Sequence, residues 1–311
     1  MRSAKVSVVM NCLNGEKYLR QAFDSVFGQT YQDWEIIFWD NVSTDKSAEI
    51  AKSYGDRVRY FRGDQTHALG KARNLAIQES AGEYLGFLDC DDIWLPEKLE
   101  RQVPLFEKNP RVGLVSCNTF SFTDGGQQRL FFTRRKPPRG RVFREMLQGA
   151  VVGQMPGMMI RKAALDQLDE WFDERFNMIE EADLFLRIAY SWEVDYVDEP
   201  LAKWRVHGGS WTWTRGDLLP LEMELMIEKL CRLYDGFEIR FKGELAKLQA
   251  RAQYYHALLD WQRGRRGEVR RRLLPYLLTD KRLWFPFVCS VLPYSLYFGL
   301  YMRLRYRARL G

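Results

Sequence analysis

EYLGFLDCDDIWLP, residues 83–96, is the stretch on which the fold turns. An apolar run of strand length leads straight into Asp89, Asp91 and Asp92, three carboxylates in four positions. Like charges so close repel one another. The stretch therefore reads as a strand (83–89) whose carboxyl end is built to hold positive charge. Pro96 then starts a helix.

The same alternation extends on both sides. GKARNLAIQES (70–80) has helical spacing, with Gly82 just past its end. VRYF (58–61), WEIIFWD (34–40) and KVSVVMNC (5–12) read as strands, and GLVSCNTFSF (113–122) as a fifth. A helix is expected to begin near Asn14, and another to be capped by Ser43 and to run to about Tyr54. Continuous apolar strands separated by helices imply an α/β fold, a mainly parallel sheet covered on both faces. Such sheets bind ligands beyond the carboxyl ends of their strands. Asn11–Asn14, Asp40–Asp45 and Asp89–Asp92 all fall at such ends, so they are expected to share one rim.

Composition narrows the classes. The chain has 311 residues, 46% hydrophobic and 28% charged, enough for a sizeable core and too apolar for disorder. Five scattered cysteines without a C-x-x-C pair suggest neither a disulfide framework nor a zinc site, and fit a reducing cytoplasmic compartment. The N-terminus lacks the features of a signal peptide. The formal charge of +6 favours an anionic partner, but no nucleic-acid-binding motif accompanies it.

Oxygen ligands at a strand end suit Mg²⁺ or Mn²⁺ completed by substrate phosphates. The competing reading is that Asp91 and Asp92 merely cap the helix after Pro96. The segments VSVVMNCLNGEKYLRQAFDSVFGQTYQDWEIIFWDNVSTD and GKARNLAIQESAGEYLGFLDCDDIWLPEKLERQV together resemble the family 2 glycosyltransferases of GT-A fold, over roughly the first 210 residues. The resemblance implies a metal-dependent inverting glycosyltransferase of the bacterial cell-surface polysaccharide type. Its donor would be a nucleotide-diphosphate sugar, UDP-linked, and its acceptor a hydroxyl of a saccharide or lipid-linked saccharide. NCLN matches the first nucleotide contact, implying donor roles for Asn11, Leu13 and Asn14, although the family's usual Pro-Thr-Tyr-Asn is altered. Asp40 matches the aspartate that reads the base. Arg73 matches a basic residue near the donor phosphates, against a plain reading as a solvated helix charge. FLDCDD matches the D-x-D metal motif, with Asp91 the direct ligand and Asp89 on the donor ribose or a metal-bound water. IEEADLFLRI (179–188) matches the segment of the catalytic base, which places Glu181 in that role, with Asp183 as an alternative. KWRVHGGSWT (203–212) implies His207 and Ser210 near the diphosphate, and Trp211 and Trp213 read as core or as a sugar platform. The altered NCLN and the Glu at the base position motivate a rival expectation: a non-catalytic sugar-nucleotide or glycan-binding module on the same fold. A nucleotidyltransferase would need a Gly-rich basic loop after the first strand, which is absent here.

The resemblance fades near residue 215, so 1–215 is expected to be the catalytic domain and 216–311 a helical C-terminal region. LWFPFVCSVLPYSLYFGLYM (283–302) is apolar over spanning length, but its two prolines and four Tyr/Trp argue against a simple span. RGRRGEVRRR (263–272) precedes it and RLRYRARLG (303–311) follows it. Aromatic apolar surface beside clustered arginine suits an anionic membrane surface, peripheral on the inner face of the cytoplasmic membrane. A buried helix pair with basic flanks is the alternative. The basic loop FTRRKPPRGRVFR (132–144) is expected to reach headgroups or an acceptor diphosphate, or to be solvated.

Overall fold

The computed structural model of the chain describes residues 4–133, 136–208 and 215–307, with side chains as far as Tyr301. Arg134 and Arg135 of the basic loop, and Ser210, Trp211 and Trp213, lie outside the described residues. Two compact units are present: residues to 146 with 150–208, and 147–149 with those from 215 onward.

In the first unit, β1 (Val6–Cys12), β2 (Trp34–Asp40), β3 (Val58–Arg62) and β4 (Tyr84–Phe87) run parallel. The helices α1 (Leu19–Phe27), α2 (Ser47–Lys52) and α3 (Leu69–Gln78) connect them. Then follow β5 (Ile93–Trp94), α4 (Lys98–Lys108), β6 (Val112–Phe122), β7 (Gln128–Leu130), α5 (Phe143–Leu147), β8 (Met159–Arg161), α6 (Lys162–Leu165), α7 (Glu180–Ser191) and β9 (Glu193–Arg205). The sheet order is β3-β2-β1-β4-β8-β6-β9-β5, with β7 paired to β6.

Alternation along β1 fixes its two faces. Val6, Val8, Met10 and Cys12 pack with Leu19, Phe23 and Val26 of α1 and with Leu99, Val103 and Phe106 of α4. Val9 points the other way, into a cluster with Ala72, Ala76 and Ile77 of α3 and Leu184, Phe185 and Ile188 of α7. The expected α/β sheet with helices on both faces is present, but it is mixed rather than mainly parallel. β8 is antiparallel to β4 and β6, while β6 and β9 are parallel. β9 escaped the pattern because DEP interrupts its apolar run. The structure absorbs that interruption as a bulge: Cys117 pairs with Val197 and Asn118 with Pro200, which leaves Asp198 and Glu199 out of the ladder.

Two expected helix starts shift. α1 begins at Leu19 rather than near Asn14, because Asn14 adopts φ 55°, a left-handed conformation that asparagine tolerates and a helix does not. α2 begins at Ser47, and Ser43 does not cap it, since the Ser43 hydroxyl accepts the Asn14 N–H instead. Gly82 is required by packing rather than by a helix end: a Cβ there would lie 2.5 Å from the Ser7 nitrogen.

Lys98 is fully buried on α4, 4.2 Å from the Trp94 ring and donating to Gln102 Oε1 at 2.6 Å. Burial pulls its amine down to about 8. Between pH 8 and its ordinary 10.5 the unfolded chain binds more protons than the folded one, so stability rises with pH across that window. Lys98→Met should therefore raise the chemical-denaturation stability at pH 7, by at most about 3 kcal/mol, with the gain shrinking above pH 8. A loss at pH 7 would show that the cation–ring contact outweighs desolvation.

The second unit is helical, with helices Leu219–Leu233, Lys242–Gln262, Arg266–Leu273, Trp284–Cys289 and Tyr294–Arg307. Its core gathers Ala257, Trp261, Val269, Leu273, Leu283 and Tyr297. Trp261 stacks on Tyr297 with ring centroids 4.3 Å apart and donates to the Leu292 carbonyl. The apolar stretch 283–302 is two helices broken around Ser290–Pro293, and among the described residues no helix is long and apolar enough to cross a membrane.

Candidate active site

The three polar clusters do meet on one rim. The Asn41 N–H donates to the Cys12 carbonyl at 2.8 Å, and the Cys90 thiol donates to the Asn11 carbonyl at 3.0 Å. The loop after β1 and the loop after β2 are zipped together: Asn14 Oδ1 accepts from the Thr44 N–H at 2.8 Å, Gly15 N–H donates to Ser47 Oγ, and Glu16 N–H to Asp45. Gly15 permits this because a Cβ would sit 2.8 Å from the Cys12 sulfur. Leu13 projects from the same loop, half exposed, and the Asn11 side-chain amide nitrogen is buried without a hydrogen-bond partner.

Asp40 ends β2 fully buried. Its Oδ1 accepts the Ser43 N–H at 2.7 Å, and its Oδ2 accepts the Tyr60 hydroxyl and Arg62 at 2.6 Å each. Three donors already hold this carboxylate, so what it fixes directly is the loop Asn41–Ser43. Val42 in that loop has φ 69°, a left-handed conformation that costs a β-branched residue about 1–2 kcal/mol. Val42→Asn is expected to stabilise the chain by about 1 kcal/mol in chemical denaturation; a lower midpoint would mean that the packing of the valine dominates.

The acidic turn is held from β9. Arg205, buried at the end of that strand, donates its N–H to Asp92 Oδ1 at 2.8 Å and its Nε to the Asp91 carbonyl at 2.7 Å. Its guanidinium lies 4.0 Å from the Tyr18 ring and reaches Asp124 and Gln21. Asp92 is buried with Oδ2 unpartnered; burial, then the charges of Asp91 and Asp89, push its carboxyl well above the usual range. Asp92 thus supports the turn through the Arg205 N–H and makes no capping hydrogen bond to α4. Asp91 and Asp89 remain partly exposed, and His207 Nε2 lies 2.8 Å from Asp91 Oδ2. Burial, then the Asp89 charge, raises Asp91, and the His207 hydrogen bond holds it back.

α7 supplies the second set of acids. Glu180, Glu181 and Asp183 all stand in its first turn, where the helix macrodipole favours negative charge. Asp183 is fully buried, and its Oδ2 accepts from Arg187 Nε and Nη2 at 2.9 and 2.7 Å. Arg73 links the two sets. It is 97% buried rather than solvated, and donates to Glu180 Oε1 at 3.0 Å and to Asp89 Oδ1 at 3.2 Å. Beside this bridge, burial and then the Glu180 charge push Glu181 up to about 7, against the pull of Arg73. Glu181, partly accessible and raised to about 7, thus stands within electrostatic reach of the partly exposed Asp89.

Sequence reasoning passed over Glu180 as a bridge, and Arg205, Tyr18 and Asp124 altogether. A buried arginine needs carboxylates, and the Glu-Glu pair was the available signal for Glu180. Arg205 gave none, because its strand was not recognised. Among the described residues no three His, Cys, Asp or Glu side chains form a cluster arranged to hold a metal ion unaided.

Residues 7–169 match the family model "Glycosyl transferase family 2". An uncharacterized glycosyltransferase of Rickettsia typhi is 27% identical over 309 residues, covering 94% of this chain and 92% of that protein. One of Methanocaldococcus jannaschii is 30% identical over 210 residues, 65% and 70% of the two chains. Among solved structures, S. aureus TarS (residues 1–349) in complex with UDP-GlcNAc superposes with a TM-score of 0.70 at 17% identity, covering 91% of this chain and 83% of that one. The mannosyltransferase PcManGT of Pyrobaculum calidifontis, in complex with GDP-Man and Mn²⁺, gives 0.60 at 16%, covering 96% and 80%.

Proposed function

The chain belongs to glycosyl transferase family 2 and is a glycosyltransferase of GT-A-like fold, and from that premise we propose that it moves a sugar from a UDP-linked donor to a hydroxyl of a saccharide or lipid-linked saccharide, with inversion and with a divalent cation, Mn²⁺ or Mg²⁺. The observation that carries the reading is the Arg73 bridge, which sets the Asp89–Asp92 turn and the start of α7 side by side. Glu181 is the base. It takes the proton of the acceptor hydroxyl as that oxygen bonds to the anomeric carbon, and the bond from that carbon to the diphosphate breaks on the opposite side. A carboxyl near 7 is ionised enough at neutral pH to accept a proton and basic enough to keep it. Asp183, neutralised by Arg187, is not the base.

Asp91 and Asp89 fit a cation: burial, then the Asp89 charge, raises Asp91, a cost that positive charge relieves. Two carboxylates make an incomplete shell, as expected where donor phosphates supply further ligands. Bound there, the ion would neutralise charge on the leaving diphosphate. His207 helps orient Asp91. Asn11, Leu13 and Asn14 form the loop against the nucleotide, and Asp40 acts on the base side by fixing the adjoining loop. Arg73 acts on the donor by holding Asp89 in place. TarS, with its UDP-GlcNAc, is the support for a uridine donor, while the Mn²⁺ of PcManGT is the support for the metal. The reading places the enzyme in the cytoplasm, peripheral to the inner face of the membrane.

Calorimetric titration with UDP, GDP and other nucleoside diphosphates, with Mn²⁺ and with EDTA, tests this. UDP should bind with Mn²⁺ and at least tenfold more weakly in EDTA, and Asp91→Asn should erase that difference. Absence of binding by every nucleotide overturns the donor reading. Equal binding in EDTA overturns the metal assignment.

A further inference from the structure

Between Asp260 and Gly311 stand twelve Lys and Arg against three Asp and Glu, whereas the whole chain carries 47 against 41. This stretch therefore holds more than the entire net charge of +6, and the remainder is net acidic. The same stretch exposes apolar side chains. Trp284 and Val288 are one helical turn apart and Val291 lies in the turn just beyond that helix, at 47%, 61% and 56% exposure. In the next helix Tyr294, Tyr297 and Tyr301 face inward, with Tyr297 on Trp261. Its outward face nonetheless carries Leu296, Phe298 and Leu300, all exposed. A helix apolar on both faces belongs in an apolar environment on both.

The charge and the apolar side chains adjoin. Arg266 Nη1 donates to the Val291 carbonyl at 3.0 Å, and Arg270 Nε to Ser290 Oγ at 2.9 Å. The basic helix Arg266–Leu273 is thereby fixed against the exposed turn between the two apolar helices. From Lys281 to the C-terminus the sequence has no acidic residue. We propose that this face of the second unit docks on an anionic lipid bilayer: Trp284, Val288, Val291 and Leu296 enter the headgroup–acyl boundary, and the arginines flanking Val291 meet lipid phosphates. Complementary charge selects the anionic leaflet, and the aliphatic side chains select a bilayer over nucleic acid, which offers phosphate but no acyl phase. The inference deepens the membrane-peripheral reading above and rests on it, and it stands whether or not the donor reading does.

Flotation of the full chain with vesicles of phosphatidylcholine, with and without 30 mol% phosphatidylglycerol (about one anionic lipid in three), tests it at low and at physiological salt. The protein is expected to float with the anionic vesicles and to stay at the bottom with neutral ones. The double variant Val288→Glu/Leu296→Glu should lower partitioning by more than tenfold. Lys281→Ser should lower it about fivefold. All three positions are exposed, so unchanged thermal unfolding confirms that the variants fold. Four outcomes overturn the proposal: no flotation at low salt; flotation equal on neutral vesicles; flotation unaffected by the double variant; or a wild-type dimer in sedimentation that the double variant disperses while vesicle binding is absent.

Discussion

Glu181→Gln is expected to lower transfer by about 10²–10⁴-fold, the usual worth of a positioned proton acceptor, while the chain stays folded and becomes more stable above pH 7. The sign follows from its carboxyl. The folded state holds the proton up to about 7, whereas the unfolded chain gives it up near 4.5. Between those values the folded state binds more protons, so the contribution of Glu181 to stability is present below 4.5 and is lost as pH rises through 7. Glutamine cannot ionise and keeps that stability. The wild-type rate should fall below pH 7 as Glu181 protonates, and the residual rate of the variant should show no such limb. Thermal unfolding at pH 5 and pH 8 provides the second readout: the advantage of the variant should appear at pH 8 only. A variant with full activity would remove Glu181 from the mechanism. One that loses activity and unfolds at both pH values would make it a structural acid.

Arg73→Met is expected to have the largest effect on stability, a loss of about 3–5 kcal/mol, because it strips a buried charge from two carboxylates. Glu180 is 94% buried, so its charge has little water to fall back on. Transfer should fall as well, since Asp89 and Glu180 then lose the cation that bridges them. Arg73→Met/Glu180→Gln should recover much of the stability and little of the activity, separating the charge balance of the core from the placement of Asp89. Denaturant midpoints and kcat/KM for the three proteins decide it. Equal stability of Arg73→Met and wild type would show that the bridge contributes nothing to folding.

The legible parts of this molecule were those where local pattern and tertiary role agree. β1, β2, β3 and β6 are apolar runs with sharp ends, and the structure keeps them within a residue. The acids at 89–92 were legible because no turn requires so many like charges. What stayed hidden depends on partners far along the chain. β9 looks polar at Asp198–Glu199 because a bulge removes those residues from the ladder, and periodicity has no sign for a bulge. Arg73 has the spacing of an exposed helix residue, and only the approach of Glu180, 107 positions later, makes burial tolerable. Ser43 and Asn14 each looked like helix starts; once their loops met they bonded each other instead.

The grip of Arg205 on the acidic turn has a consequence for biosynthesis. Asp91 and Asp92 leave the ribosome 113 or more residues before the arginine that holds them. At roughly 5–20 residues per second the turn waits about 6–23 seconds before Arg205 can hold it. The nascent chain can build the β1–β4 scaffold in that interval, but it cannot assemble a competent site. Translation pauses between Asp92 and Arg205 would lengthen the exposure of an unfinished sheet edge, and slow codons in that interval should lower the yield of active enzyme without altering a single residue.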